Sequence, residues 1–214
     1  MKTLLPKLFP QFDESVYAGF GPRIGAFVLD FLIIMPFAIG LGFLQGMSQQ
    51  VALVTLVFQA LVFGFIYQIF FIKQYGATPG KHIAGIKVVK LDGTDVGWNE
   101  AILRAFVDIL FMIFGLVITY MAIMSMSDEA YQALSFTTRG PKLQEWNPTL
   151  FTIQGFGPLI WALTEFIVLW TNTHRKDFRD FIGETLQIKR NYQKQILEIM
   201  KNRENESASE ETEQ

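Results

Sequence analysis

The chain of 214 residues contains no cysteine, and this absence excludes several kinds of site. Without cysteine there is no disulfide framework, no thiolate metal site and no thiol nucleophile. Charged residues are also scarce, at 18%, whereas a soluble domain typically carries about a quarter. The two histidines are far apart and have no His-x-x-x-His spacing, so we expect no metal centre and no cofactor.

Long apolar runs take the place of the missing charges, and 50% of the residues are hydrophobic. A helix of ~20 residues rising ~1.5 Å each crosses the ~30 Å hydrocarbon core of a bilayer. Four runs reach that length: Ile24–Leu44, Val51–Ile72, Ala105–Met124 and Phe151–Thr171. The sequence therefore predicts an all-α integral membrane protein that is a bundle of four transmembrane helices.

The distribution of lysine and arginine predicts how the bundle is oriented. These residues cluster before the first span, between the second and third spans, and after the fourth. The loop after the first span has none, and the loop at 125–150 has only Arg139 and Lys142. Because cytoplasmic loops carry the excess of positive charge, we expect both termini in the cytoplasm.

Three parts of the chain are expected. Residues 1–21 form a cytoplasmic or interfacial arm, and residues 22–190 form the membrane domain. Residues 191–214 form a short cytoplasmic amphipathic helix and then an acidic tail. The tail contains no large apolar residue, so we expect it to be disordered.

The polar segment between the second and third spans contains two recognisable patterns. The run IAGIKVVKL alternates in part and is followed by the turn residues Asp92 and Gly93, which favours a hairpin or an interfacial strand. The run GATPGKH differs from a phosphate-binding loop, since His82 stands where serine or threonine should bind magnesium. We interpret it as a flexible loop that holds a lysine near anionic lipid.

Three acidic residues lie inside the predicted spans. Asp30 and Glu165 are six residues from the cytoplasmic edge and Asp108 is three, which corresponds to a depth of ~5–9 Å. An ionised carboxylate within a span costs ~2.5–3.5 kcal/mol on insertion scales, so each acid needs a partner or a role. Four arginines ring the same edge: Arg23, Arg104, Arg175 and Arg179.

Two interpretations of this polar cluster remain open. In the structural one, Arg104 and Asp108 satisfy each other as an i,i+4 pair. Arg23 and Asp30 are too far apart along one helix for easy direct contact, but each could pair with residues of other helices and so fix the helix register. In the functional one, the carboxylates bind and release a proton or a cation. Glu165 has no basic residue nearby in sequence, which suits a proton carrier.

Several short motifs together resemble the RDD family of small prokaryotic membrane proteins, named for one arginine and two aspartates. The first two family residues match Arg23 and Asp30, and a Gly-Lys loop matches Thr78–Gly93. Further matches are Trp98, Glu100 and Arg104, and then Asp180, Gly183 and Thr185 in RDFIGETL. His82 and Ile83 depart from the more basic, Leu-rich run that the family often has there.

The resemblance implies a transport role, with cation/proton antiport attributed to some members of the family. We expect exchange of a monovalent cation for protons through a cytoplasm-facing carboxylate cluster. The ion-binding residues would be Asp30, Glu165 and Asp108, and the supporting residues Arg23, Arg104, Asp180 and Arg179. In this scheme Asp30 is the main ligand. The alternative is a non-transporting scaffold or assembly factor. No catalytic constellation occurs, so no enzyme is expected.

The expected partners follow from the same features. The basic stretch Arg175–Arg190 should meet anionic lipid headgroups rather than nucleic acid. Beyond the bilayer, the expected ligand is a monovalent cation or a proton. Four spans enclose little space, which favours a homo-oligomer. The resemblance implies a multi-pass protein of the cytoplasmic membrane of a prokaryote.

Overall fold

The structure is a computed structural model that describes residues 14–171 and 176–212, with side chains as far as residue 202. Most of the predicted N-terminal arm, residues 1–13, lies outside this part, as does Arg175. Four helices are long and apolar enough to cross a membrane, which confirms the predicted number of spans. Many large apolar side chains on their outer surfaces are exposed, as lipid-facing positions require.

The first span is helix α1, Phe20–Leu44. The second begins with α2, Gln49–Gln59, passes into a π-helical segment, Ala60–Phe70, and ends with α3, Phe71–Tyr75. The third span is α5, Trp98–Met124, and the fourth is α8, Pro148–Thr171. Serine and threonine side chains cap several of the helices, as at Ser48, which accepts from the amide of Val51.

Hydropathy could not predict the π-helical segment. Most of its residues are apolar, and an apolar run gives the same hydropathy in an α-helix and in a π-helix. A π-helix is rare and is most often found at functional sites. Its wider turn places Ala60, Gly64 and Gln68, at four-residue intervals, along one wall of the bundle interior. A Cβ atom on Gly64 would meet the end of the Met112 side chain on α5, which would then have to move.

The run GATPGKH is not the flexible loop that was predicted. Pro79–Ile83 form a short helix, α4, whose first turn is capped by the hydroxyl of Thr78. This helix packs against α1, and the amide of Gly80 donates a hydrogen bond of 2.6 Å to Asp30. A Cβ atom on Gly80 would lie 2.6 Å from the carboxyl carbon of Asp30, so only glycine permits this approach.

A small antiparallel sheet corrects the all-α prediction. Strand β1, Ile86–Lys90, lies in the run for which a hairpin or a strand was expected, and across the turn that follows it Val89 forms one isolated antiparallel bridge with Asp95. Strand β1 pairs with β2, Thr185–Lys189, so that Val88 lies opposite Gln187. Tyr17 forms an isolated bridge with Ile188. The segments before the first span and after the fourth therefore meet at one end of the bundle.

The polar loop predicted at 125–150 contains two short helices at the opposite end of the spans. They are α6, Asp128–Gln132, and α7, Phe136–Gln144. Arg139 on α7 donates a hydrogen bond of 3.0 Å to the carbonyl of Gly42, and Phe136 stacks on Phe43 at 4.5 Å. These contacts place α7 against the end of α1.

The sheet has its own apolar core. Val16, Tyr17, Val89, Leu186, Ile188 and Ile196 are all fully buried there. Ile196 belongs to α10, Gln193–Thr212, and packs this helix against the sheet, across the predicted boundary at residue 190. The backbone stays helical to Thr212, so the disorder predicted for the acidic tail is not what the structure has. Glutamate and alanine are good helix formers, which accounts for the difference.

Candidate functional site

The family aspartate near the C-terminus, Asp180, occupies the centre of a buried ion-pair network below the spans. Its side chain is completely buried. Arg23 of α1 lies 3.1 Å from Oδ2, and Arg104 of α5 contacts Oδ1. Arg104 also donates to the hydroxyl of Thr185. One carboxylate thus joins the first span, the third span and the sheet.

A short helix, α9, Phe178–Ile182, holds Asp180 in this position. Asp177 accepts a hydrogen bond of 2.8 Å from the amide of Asp180, and the Asp180 carboxylate accepts from the amide of Asp177. This reciprocal capping box fixes both carboxylates at the start of the helix. Oδ2 of Asp177 also accepts hydrogen bonds from Nη1 of Arg23 and from Nε2 of Gln187, each of 2.8 Å.

The charges in this network shift the acidity of their partners. Burial by itself would raise the pKa of Asp180, but Arg104 and Arg23 outweigh it and hold the pKa well below its usual range. Burial would similarly lower the pKa of Arg179, but Asp108 and Glu165 outweigh it and raise the pKa above its usual value. Both groups are therefore charged at neutral pH.

Arg179 joins the two acids of the third and fourth spans. Its Nη2 donates a hydrogen bond of 2.9 Å to Oδ1 of Asp108, and its Nε lies 2.7 Å from Oε1 of Glu165. The predicted i,i+4 pair between Arg104 and Asp108 is wrong, because Arg104 turns to Asp180 instead. Glu165 has no basic neighbour in sequence, but the fold supplies Arg179 as its partner.

Asp30 lies in a different environment from the other two acids. Arg23 and Asp30 do not contact each other, and each finds its partners on other segments of the chain. Its oxygens accept hydrogen bonds from the hydroxyl of Tyr67, from the hydroxyl of Thr78 at 2.6 Å and from the amide of Gly80 at 2.6 Å. All three donors are neutral. They connect the first span to the second span and to α4.

Two cavities reach these acids from different sides. The larger, about 440 Å³, lies between the second, third and fourth spans and is lined by Gln59, Gln68, Asp108, Thr119 and Gln154 among apolar residues. The smaller, about 280 Å³, lies between the first and fourth spans. Arg23, Asp30, Lys81, Glu165, Asp177 and Arg179 line it. Gln68 lines both cavities, so they adjoin at this side chain.

Several residues of this site were not predicted. Asp177 and Gln187 complete the network around Asp180, and Tyr67 and Thr78 hold Asp30. For Asp177 there was a pattern in the sequence, since an aspartate three residues before another acid is typical of a capping box. For Tyr67 and Thr78 no sequence pattern exists, because their contacts depend on how the second span and α4 pack.

The fold and the site define a class of protein. It is a helical membrane protein with four spans, a small sheet at one end of the bundle, and arginines paired with aspartates beneath the spans. The family model described as RDD family matches residues 17–184. The chain therefore belongs to the RDD family, and its arginine and second aspartate, Arg23 and Asp180, are in direct contact. No curated protein and no solved structure matches the chain significantly.

Proposed function

We propose that this RDD protein exchanges a monovalent cation for protons across the membrane through the cavity between its second, third and fourth spans. The observation that carries the proposal is a pair of buried acceptor oxygens. Within residues 14–171 and 176–212, Oδ2 of Asp108 and Oε1 of Gln154 have no hydrogen-bond partner. Asp108 and Gln154 both line this cavity. Buried acceptors without donors are costly unless a cation or water occupies the site.

The other polar residues that line this cavity suit a cation. Gln59, Gln68 and Thr119 add amide and hydroxyl oxygens, which can replace part of the hydration shell of an ion. Among the described residues no lysine or arginine lines this cavity, and the guanidinium of Arg179, which contacts Asp108, is shared with Glu165. Asp108 supplies the negative charge. The contacts therefore favour Asp108 over Asp30 as the main ligand, since Asp30 already accepts three hydrogen bonds.

Arg179 provides a physical basis for coupling cations to protons. It is paired with Asp108, which lines the larger cavity, and with Glu165, which lines the smaller one. A cation that binds Asp108 weakens the pairing of Asp108 with Arg179, and a proton on Glu165 weakens the other pairing. Occupancy on one side thus changes the charge balance on the other, which is the requirement for exchange.

The proposed orientation places the sheet and α4 in the cytoplasm of a prokaryotic cell. Because the chain has no cysteine, single cysteines at the exposed positions Met47, Asp92 and Gln144 can be labelled directly. We expect an impermeant thiol reagent added to intact cells to label Met47→Cys and Gln144→Cys but not Asp92→Cys. Labelling of Asp92→Cys alone would show that the orientation is inverted.

Everted membrane vesicles test the exchange itself. With a pH-sensitive dye and respiration to acidify the vesicles, we expect sodium, potassium or lithium to cause dequenching only where the protein is present. Vesicles from cells without the protein are the control. Correctly inserted protein without any cation-dependent signal would favour the scaffold, whose docking element would be α10, held on the sheet by Ile196.

A further inference from the structure

The smaller cavity has a charged end and an apolar end. The end nearest the sheet is lined by Arg23, Lys81 and Arg179, by the acids that pair with the arginines, and by Asp30, whose donors are neutral. Towards the middle of the membrane its walls include Phe27, Phe31, Ile34, Ala162 and Phe166. Arg23 and Ile34 are eleven residues apart on one helix, a rise of about 16 Å at 1.5 Å per residue. The cavity is thus charged at one end and apolar at the other, like one leaflet of a bilayer from headgroup to acyl chains.

Lys81 is the cation in this cavity that is open to a ligand. Arg23 is paired with Asp177 and Asp180, and Arg179 with Asp108 and Glu165. The ammonium of Lys81 has no hydrogen bond or ion pair with any residue in the described part of the chain. The residue is only half-buried, on α4. Its ammonium therefore lines the cavity without a direct ion pair in the described residues, although Asp30 and Asp177 line the same cavity.

The apolar half of the cavity opens towards the lipid. Phe27 and Phe31, which line it, are 56% and 58% exposed on the surface of the first span. The first and fourth spans touch through aromatic side chains, with the Phe20 and Trp170 rings 5.2 Å apart and those of Phe27 and Phe166 6.2 Å apart. Because the exposed rings of Phe27 and Phe31 belong to the cavity wall, a molecule already in the bilayer can reach the cavity beside these contacts without crossing water.

We propose that this cavity binds a phospholipid with a net negative headgroup. Its phosphate contacts Lys81, and its acyl chains lie along Phe31, Ile34 and Ala162. A phosphate beside a lysine gains a charge-assisted contact. The acyl chains move from bulk lipid to an apolar groove at little cost in free energy, because both surroundings are apolar. A volume of about 280 Å³ holds a headgroup and the first methylene groups, and the rest of the chains stay in the bilayer.

The apolar half of the cavity selects the lipid over a free phosphate ion, which would leave those walls without contact. The proposal does not depend on ion exchange, because it concerns the binding of a lipid and is measured without a gradient. Bound lipid would contact the first span, the fourth span and α4 at the same time.

Native mass spectrometry of the purified full chain, titrated with phosphatidylglycerol, tests the site. We expect one tightly retained lipid in the wild type and in Lys81→Arg. In Lys81→Gln the affinity should fall about tenfold, the change expected for losing one lysine contact to a phosphate in a partly dry site. Lys73→Gln is the matched control, because Lys73 lies at the same end of the bundle but over the ring of Trp98.

Two further comparisons test whether the ligand is an anionic phospholipid and not a neutral lipid or a free phosphate ion. Phosphatidylcholine, whose headgroup is neutral overall, should bind more weakly, and inorganic phosphate should not displace phosphatidylglycerol. Ala162→Phe fills the apolar half while leaving Lys81 intact and should also weaken retention. Equal affinity for the two lipids, displacement by free phosphate, or unchanged retention in Lys81→Gln would each overturn the proposal. If Lys81→Gln does not fold, unchanged retention in Ala162→Phe would overturn it.

Discussion

Replacing Asp180 with asparagine is expected to destabilise the folded protein by about 3–5 kcal/mol, the usual cost of breaking a buried ion pair on one side. The carboxylate of Asp180 is fully buried and is shared by Arg23 and Arg104. Without it, Arg104 keeps only the hydroxyl of Thr185 as a partner in the described part of the chain. An amide cannot compensate the charge of a buried guanidinium.

Unfolding of the purified protein in detergent, followed by tryptophan fluorescence, measures this loss. Asp95→Asn is the control, because Asp95 is 69% exposed and its pair with Lys87 is a surface salt bridge. Such pairs are worth about 0–1 kcal/mol, so this variant should resemble the wild type. Equal stability of all three proteins would show that Asp180 does not hold the spans together.

The same residue predicts a pH dependence. The pKa of Asp180 is lower in the folded protein than in the unfolded chain, where a free aspartate has a pKa of about 3.9. A carboxyl group shifted in this direction adds stability that is fully present above the unfolded pKa and is lost as the pH falls through the folded pKa. The stability difference between wild type and Asp180→Asn should be constant near neutral pH and narrow only below about pH 4.

The four spans could be predicted, because hydropathy is a property of consecutive residues. Four helices long and apolar enough to cross a membrane follow from this rule alone. The strand at Ile86–Lys90 was also expected from its partial alternation. Its partner was not, since β2 lies about a hundred residues further along the chain.

The pairing of charges could not be predicted for the same reason. Sequence spacing favours Arg104 with Asp108, four residues apart on one helix face, but the chain brings Asp180 close to Arg104 and Arg179 close to Asp108. This exchange of partners arises because α9 passes beneath the spans, a tertiary feature. Likewise, α4 is held against α1 by the hydrogen bond from the amide of Gly80 to Asp30, and neither segment indicates the other in the sequence.

The central claim is that cations and protons are exchanged at Asp108, in the cavity between the second, third and fourth spans. Asp108→Asn should fold. The amide oxygen can still accept a hydrogen bond from Arg179, and Glu165 still neutralises the charge of Arg179. The variant should not exchange, since an amide neither titrates nor carries charge. Asp30→Asn is the matched control, because Tyr67 and Gly80 can still donate to the amide oxygen and the hydroxyl of Thr78 can accept from the amide nitrogen.

The most direct measurement is cation-driven proton movement in liposomes containing purified wild type, Asp108→Asn or Asp30→Asn. The account predicts exchange by the wild type and by Asp30→Asn, and only the background of empty liposomes for Asp108→Asn. Full activity of Asp108→Asn, or loss of activity in Asp30→Asn alone, would contradict it and return the ion-binding role to Asp30.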